Sequence, residues 1–438
     1  MSATRNLATA PQRPIVAVVV QQHAEEAAML RHVRSVLVRA PHVGLLQLGR
    51  LDERLAAHLD GLAVAGPAGR ALCLAALERP GAGEVFALGV LALESDEPRL
   101  VDHLLALWPA VPEARRGLIS AYGWVSASAL KGVVQRLLAS SPGPALELGI
   151  EACRLHQVDP GVVLSAALAS PLPSISAVAA RAAGELGRLD LLPALLRTEA
   201  GEPEEVAFWK KRSACLLGDR QQSLDDLIEI GTGNGPWADR ALGVVMAAGT
   251  SAQAVELGQH MSALARRPDA AMTAQRRLIR TLALLGDLRF VPWLIARMSE
   301  PPLARLAAEA FSWITGANLA LLDLETLQSP AQPELPDDAD ADGSLDEDDS
   351  LPWPEPKRVQ AWWDREQRTL HAAATDGRLF MGGAMTTQTA HQVLAEGTQR
   401  QRAHAALLAC ALQPGRPLFQ VAAPASRQRH MLKDWLPR

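Results

Sequence analysis

The feature that most constrains the fold is a glycine that recurs at a nearly constant interval. Apolar segments end at Gly187, Gly218, Gly249, Gly286 and Gly316, which are separated by 31, 31, 37 and 30 residues. A glycine after an apolar helix supplies the left-handed C-cap that residues with a Cβ resist. This period predicts a row of similar helical units rather than a single globule.

Each unit is predicted to hold two helices. A short apolar helix, opened by a proline, follows the glycine at 191–196 and 290–298, and an Ala-rich second helix follows at 206–217 and 304–314. One hairpin of about 30 residues cannot bury its own apolar face, whereas stacked neighbours can. The sequence therefore predicts an all-α fold, an α-solenoid of short helical hairpins; the alternative is a helical bundle with a chance spacing of glycines.

An acidic run divides the chain. Nine acidic residues and no basic residue lie between positions 334 and 349, among prolines. Like charges and prolines oppose burial, so we expect a Pro-rich disordered linker at 326–356. This predicts an N-terminal helical cap at 1–61, a repeat solenoid at 62–325, and a C-terminal helical cap or small module at 357–438.

The composition excludes several classes of protein. The chain has ten Trp but one Tyr, which disfavours all-β folds, and its four Cys include no CxxC pair, which excludes a local thiolate zinc site. The apolar run at 15–20 is too short for a signal peptide or a membrane span. We expect a cytoplasmic protein without a cofactor and without membrane insertion.

The acidic run also has the spacing of an EF-hand calcium loop. Carboxylates fall at positions 1, 3, 5, 9 and 12, with Gly343 at position 6. Prolines on both sides oppose the entering and exiting helices, so a solvated linker is the preferred interpretation. The weak candidate metal ligands are Asp338, Asp340, Asp342, Asp346 and Asp349.

Basic residues recur in the predicted second helices. Without the nine linker acids, 39 acidic residues face 43 basic ones, too small an excess for a nucleic-acid-binding protein. We expect either ordinary exposed charge or a stripe on the concave face that contacts an acidic protein, the acidic linker itself being the nearest candidate. The predicted stripe contains Arg115, Arg116, Arg181, Lys210, Lys211, Arg212, Arg240, Arg276, Arg277 and Arg305.

Two other groups of residues invite a functional interpretation. His23 and Glu26 share one face of a predicted helix, but no second ligand pair follows, so a polar contact with the segment 52–60 is preferred to a metal or catalytic site. The tryptophans occur about once per unit and are expected to fill the wedges between helix pairs, while Trp362 and Trp363 are expected to dock the C-terminal part on the repeats.

The repeat resembles the HEAT repeat in its short form of about 30 residues, in which an Ala-rich helix ends in Leu-Gly-x-x-Asp. Units ending at Gly187, Gly218 and Gly286 are the most similar. The segments 23–30 and 398–402 resemble the opening and closing segments of an uncharacterised proteobacterial family of HEAT-like proteins. That resemblance implies an association with type VI secretion gene clusters.

The predicted function is that of a non-enzymatic scaffold or adaptor, since the sequence contains no GxSxG, GxxxxGK or GxGxxG motif. The resemblance implies a protein partner among secretion components or effectors. Two alternatives stay open: a HEAT-like nucleic-acid glycosylase or lyase that uses the groove, and a calcium-responsive scaffold. The sequence does not specify the partner, the binding face or the oligomeric state.

Overall fold

The structure is a computed structural model that describes residues 15–198, 201–266, 271–326, 348–374 and 376–435. The described chain is mostly helical, which confirms the predicted all-α class. Its strands, β1 (Leu379–Phe380) and β2 (Gly383–Ala384), form one antiparallel hairpin that the sequence analysis missed.

The helices in the first part of the described chain are α1 (Ala17–Leu37), α2 (Leu45–Ala65), α3 (Pro67–Ala76), α4 (Ala82–Glu94), α5 (Pro98–Ala106), α6 (Pro112–Trp124), α7 (Val133–Leu138), α8 (Pro144–His156), α9 (Val162–Leu168), α10 (Pro173–Glu185) and α11 (Leu192–Leu195). Those in the second part are α12 (Glu204–Leu216), α13 (Gln222–Thr232), α14 (Ala238–Ala248), α15 (Ser251–Ala265), α16 (Met272–Leu285), α17 (Val291–Arg297), α18 (Pro301–Thr315), α19 (Pro356–Ala373), α20 (Thr387–Glu396), α21 (Gln399–Leu412) and α22 (Ala425–Trp435). Short 3-10 turns at Leu189–Leu191 and Leu288–Phe290 precede α11 and α17.

The described residues divide into two compact units. The first unit lies within 1–35 and 50–133, and α4 packs against α6 at its centre. Helical glycines permit the close approach: a Cβ on Gly89 would lie 3.0 Å from the Cβ of Ala121, and one on Gly117 would lie 2.7 Å from the Cβ of Val85. Larger residues at these two positions would force the helices apart.

The second unit, within 36–49 and 134–438, contains the helix pairs with the clearest repeat. The second helices α8, α10, α12, α14, α16 and α18 each pack against the next, and α9, α11, α13, α15 and α17 each pack on the second helix that follows them. The short segment 36–49 belongs to this unit because Val43 O accepts from Gln399 N at 2.7 Å and Ala425 shares its small apolar cluster. The sequence analysis did not predict this division.

The recurring glycines end the second helices, as the period predicts. Gly286 and Gly316 are C-caps of α16 and α18, both with φ of 74°, and Gly187 and Gly218 also have positive φ. Gly249 differs: it caps α14 in an extended conformation with φ of −71°, and Thr250 starts α15 at once with a capping box. Because α15 has 15 residues, this unit is longer, which accounts for the interval of 37.

The C-terminal segment, defined here as residues 356–435, lies along the ends of the second helices. Leu379 N donates to Gly286 O at 2.8 Å, Met381 N to Trp313 O at 2.6 Å, and Leu418 N to Glu185 O at 2.8 Å. These carbonyl oxygens lie at helix C-termini, where the helix itself provides no N–H donor. The C-terminal segment therefore supplies the hydrogen bonds that these carbonyls would otherwise lack. A cap on the last pair alone would contact only α18, whereas this segment reaches from α18 back to α10.

Side chains extend the same contact. Arg378 is buried and donates to Leu285 O at 2.8 Å and to Met246 O at 2.6 Å, at the ends of α16 and α14. Arg220, just after α12, donates to Ala411 O at 2.7 Å. Trp362 meets Phe311 edge-to-face with ring centroids 5.5 Å apart, which confirms the predicted docking of α19 on the repeats.

We expect Gly316→Ala to lower the free energy of unfolding by about 3 kcal/mol, since an Ala in the left-handed region costs about 1–2 kcal/mol and its Cβ would lie 2.6 Å from Met381 O. Gly377→Ala is the control, because Gly377 has φ of 82° but open space around its Cβ position, and it should lose only about 1 kcal/mol. Urea denaturation measures both. Equal losses would show that the contact with the C-terminal segment contributes nothing.

A second prediction concerns His404, which is buried in α21 between the rings of Trp313 and Phe380. Burial, and then the charge of Arg378, lowers the pKa of His404 to about 3. Between about pH 6.5 and pH 3 the unfolded chain therefore binds a proton that the native state does not, so acidification should lower the free energy of unfolding by about 1.4 kcal/mol per pH unit. His404→Leu should reduce this slope in urea denaturation between pH 7.5 and 4.5, and an unchanged slope would contradict the assignment.

Candidate functional site

Three consecutive residues of the predicted basic stripe are buried in the interior of the second unit. Lys210, Lys211 and Arg212 on α12 are all buried. Lys210 forms an ion pair with Glu202, and Lys211 Nζ lies 2.6 Å from a carboxylate oxygen of Asp226. Neighbouring second helices, first helices and α21 all pack on α12, so these charges do not form an open basic surface.

The described end of the acidic run contacts two further predicted residues. Arg276 lies 2.7 Å from Asp348, and Arg305 lies 3.4 Å from Asp349. The Arg305 guanidinium also stands 4.7 Å from the ring centroid of Trp353. The acidic run therefore does meet basic residues of the second helices, as electrostatic attraction favours.

Of the five candidate calcium ligands, one belongs to the described residues. Asp338, Asp340, Asp342 and Asp346 lie outside the described residues. Asp349 is described and is the ion-pair partner of Arg305. Within the described ranges, no group of three or more metal-ligating side chains occurs.

The remaining predicted residues occupy separate places. Arg115 and Arg116 belong to the first unit, and the Arg115 guanidinium lies 5.5 Å from the ring centroid of Trp108. In the second unit, Arg277 Nε donates to Asp239 at 2.8 Å. The structure thus distributes the predicted stripe over two units and several local ion pairs.

A buried network of charges, which the sequence analysis did not identify, links α8, α10 and α12. Arg154 on α8 lies 2.7 Å from Glu185 on α10 and also pairs with Glu151 at 2.5 Å. Glu185 accepts from Arg181 Nε at 3.0 Å and lies 3.4 Å from Arg212 Nη1. We call these five residues the charge network.

Some residues of the charge network are separated by the period of the repeat. Arg154 and Glu185 are 31 residues apart, and so are Arg181 and Arg212, which is the interval between the first glycines. Residues one repeat apart lie on adjacent second helices, so opposite charges at that offset signal an interhelix ion pair. Aligning the charges by the repeat period would have found the Arg154–Glu185 pair.

The network keeps its charges ionised. Burial by itself raises the pKa of Glu185, but the positive charges of Arg181, Arg154 and Arg212 outweigh it and hold that pKa well below its usual range. Burial lowers the pKa of Arg212, which Glu185 offsets only in part. Arg212 Nη1 is buried and makes no hydrogen bond within the described part of the chain.

Three arginines surround one indole beside the network. The guanidinium carbons of Arg181, Arg212 and Arg240 lie 4.7, 5.2 and 6.0 Å from the ring centroid of Trp209, and Arg240 lies 5.2 Å from that of Trp237. Partial burial, and then the like charges of Arg181 and Arg39, lowers the pKa of Arg240. Positive charge is therefore concentrated here without full neutralisation.

Arg39, Arg181, Arg240, Trp209 and Trp237 are named here the arginine–tryptophan surface. Arg240 and Arg39 are exposed, and Arg181 is half-buried. Among the described residues no carboxylate lies within ion-pair distance of Arg240. Cations that lie over aromatic faces and have no counter-ion can bind carboxylates of another molecule.

The contacts of His23 and of its helix α1 are explained by packing. His23 Nδ1 lies 3.1 Å from His58 Nδ1, and Arg34 Nε donates to Asp52 at 2.6 Å, which confirms the polar contact between α1 and the segment 52–60. All of these contacts are inside the first unit.

The four cysteines are free and buried. Burial raises the pKa of the Cys73, Cys153 and Cys215 thiols to about 11 and that of Cys410 to about 12. These thiols are protonated at neutral pH and are poor nucleophiles.

No family model, curated protein or solved structure matches the chain. Within the described ranges no single helix is long and apolar enough to cross a membrane, although the bent pair α2 and α3 passes the same test by length and composition.

We expect Glu185→Gln to lower the free energy of unfolding by about 3–5 kcal/mol, because it leaves buried arginines with one carboxylate fewer. Asp190→Asn is the matched control: Asp190 also pairs with an arginine, Arg188 at 2.7 Å, but its side chain is 61% exposed. The control should change stability by no more than about 1 kcal/mol in urea denaturation. A small effect of Glu185→Gln would show that the charge network does not stabilise the second unit.

Proposed function

We propose that this protein is a non-enzymatic scaffold that binds an acidic segment of a protein partner through the arginine–tryptophan surface. The observation that carries the proposal is Arg240, an exposed guanidinium between Trp209 and Trp237 without an ion-pair partner among the described residues. Tryptophan and arginine are the residue types that dominate the binding energy of protein interfaces. An acidic chain would relieve the repulsion between Arg240, Arg181 and Arg39.

The scaffold in this proposal is an α-solenoid of short HEAT-like pairs. Each second helix of the second unit packs on the next, and each first helix packs on the second helix that follows it, which is the local packing of a solenoid. The charge network supports rigidity, because it joins three consecutive second helices beneath the surface. The resemblance to HEAT-like proteins of type VI secretion clusters makes a secretion component or an effector the proposed partner, met in the cytoplasm.

An enzymatic role at the arginine–tryptophan surface is the weaker hypothesis. A glycosylase or lyase would need a carboxylate free to act among the arginines and tryptophans. Glu185 and Glu151 lie there, but Glu185 accepts from Arg154 and Arg181, and also from Gln420 at 3.2 Å, while Glu151 pairs with Arg154. We therefore favour binding over catalysis.

The test is capture of partners by the intact protein from an extract of its source organism, followed by direct binding of the identified partner. Arg240→Glu should weaken binding about ten-fold or more, since it replaces an attractive charge by a repulsive one, and rising salt should weaken the unaltered complex. Arg365→Glu on the exposed side of α19 is the matched control and should bind normally.

Charge reversal at Lys210, Lys211 and Arg212 is unsuitable for this test, because those side chains are buried and its result would report on folding. Partner binding that Arg240→Glu and Arg39→Glu both leave unchanged would refute this surface. Retention that nuclease treatment abolishes would favour the nucleic-acid alternative instead.

A further inference from the structure

A pocket of about 500 Å³ lies in the second unit and has no residue in common with the arginine–tryptophan surface. The end of α15, the first half of α16 and the segment 289–297 supply its lining. Its size is within the range of small-molecule sites. No function considered so far uses this pocket.

The pocket lining includes hydrogen-bond donors that have no protein partner among the described residues. Within the described part of the chain, the Arg266 guanidinium and the Gln275 side-chain amide make no hydrogen bond or ion pair. Arg297 Nε is buried and also lacks a hydrogen-bond partner among the described residues, although Arg297 Nη1 lies 2.6 Å from Glu300. Donors that line one pocket and have no protein acceptor match a ligand rich in acceptor oxygens.

The charged residues of the lining indicate that the ligand is an anion. Three arginines belong to the described part of the lining, and two of them have a carboxylate partner: Arg297 pairs with Glu300, and Arg289 pairs with Asp287 at 2.6 Å. Arg266 has no such partner among the described residues, so the described lining has an excess of positive charge. Guanidinium groups suit phosphate oxygens in particular, because their planar forks bond two oxygens at once.

Other residues of the lining are apolar or aromatic. Leu278 is buried, and Phe290 and Trp293 are half-buried at the pocket. The Arg297 guanidinium carbon lies 5.4 Å from the ring centroid of Trp293, so a charged group and a flat ring are adjacent. A ligand that carries both an anion and a planar ring would match both kinds of lining residue.

We propose that this pocket binds a small aromatic phosphate, of the chemical class of a nucleoside monophosphate. Arg266, Gln275 and Arg297 bind the phosphate oxygens, and Phe290, Trp293 and Leu278 contact the ring. The proposal does not depend on the proposed scaffold function, since the two sites share no residue.

The experiment is isothermal titration calorimetry of the intact protein at low ionic strength with three probes: adenosine 5′-monophosphate, adenosine and inorganic phosphate. We expect the monophosphate to bind with submillimolar affinity and each of the other two to bind at least ten-fold more weakly, because each lacks one half of the recognised chemistry. Arg266→Gln and Trp293→Leu should each weaken monophosphate binding at least ten-fold. Arg368→Gln on the exposed side of α19 is the control and should leave the affinity unchanged.

Circular dichroism at each titration temperature verifies that every variant is folded, and Arg266 is exposed, so its substitution spares the core. The absence of heat with the monophosphate at millimolar concentration would overturn the proposal. Equal affinity for adenosine or for inorganic phosphate would overturn it too, as would monophosphate binding that Arg266→Gln and Trp293→Leu both leave unaltered.

Discussion

The open carbonyl groups at the ends of the second helices are the constraint on which the second unit depends. A helix cannot satisfy its last carbonyls internally, and burying them without a donor is costly. The C-terminal segment supplies backbone donors at Leu379, Met381 and Leu418 and the guanidinium of Arg378. The glycines after α10, α16 and α18 matter twice here, since their positive φ ends the helix and their missing Cβ lets the backbone of the C-terminal segment approach.

Burial of charge connects this architecture with function. Because α21 and neighbouring helices cover α12, its basic residues require carboxylate partners, and Lys210, Lys211 and Arg212 each have one. Arg240, one helix further, has none within ion-pair distance among the described residues and is exposed. The same residue type is thus structural at one helix and available for binding at the next, and the difference is whether a carboxylate is adjacent.

The two proposed binding sites use related chemistry on different scales. Both combine arginine with tryptophan, and the cation lies 5.2 Å from Trp237 in one and 5.4 Å from Trp293 in the other. The arginine–tryptophan surface has two exposed arginines, Arg39 and Arg240, and suits an extended acidic chain, whereas the pocket has a volume of about 500 Å³ and suits a small anion. Shape rather than residue type therefore separates the proposed ligands.

The sequence by itself determined the helical class, the ends of α10, α12, α14, α16 and α18 at their glycines, and the helix predicted at 206–217, observed as Glu204–Leu216, within two residues. These features depend on hydrogen bonds and apolar contacts between residues only three or four positions apart, so local patterns contain them. The tertiary structure alone decided that Lys210 is buried, that Glu185 accepts from Gln420, 235 residues away, and that Arg266 and Trp293 share a pocket. A single sequence records no distances between remote residues, and the burial or freedom of a charge is set by those distances.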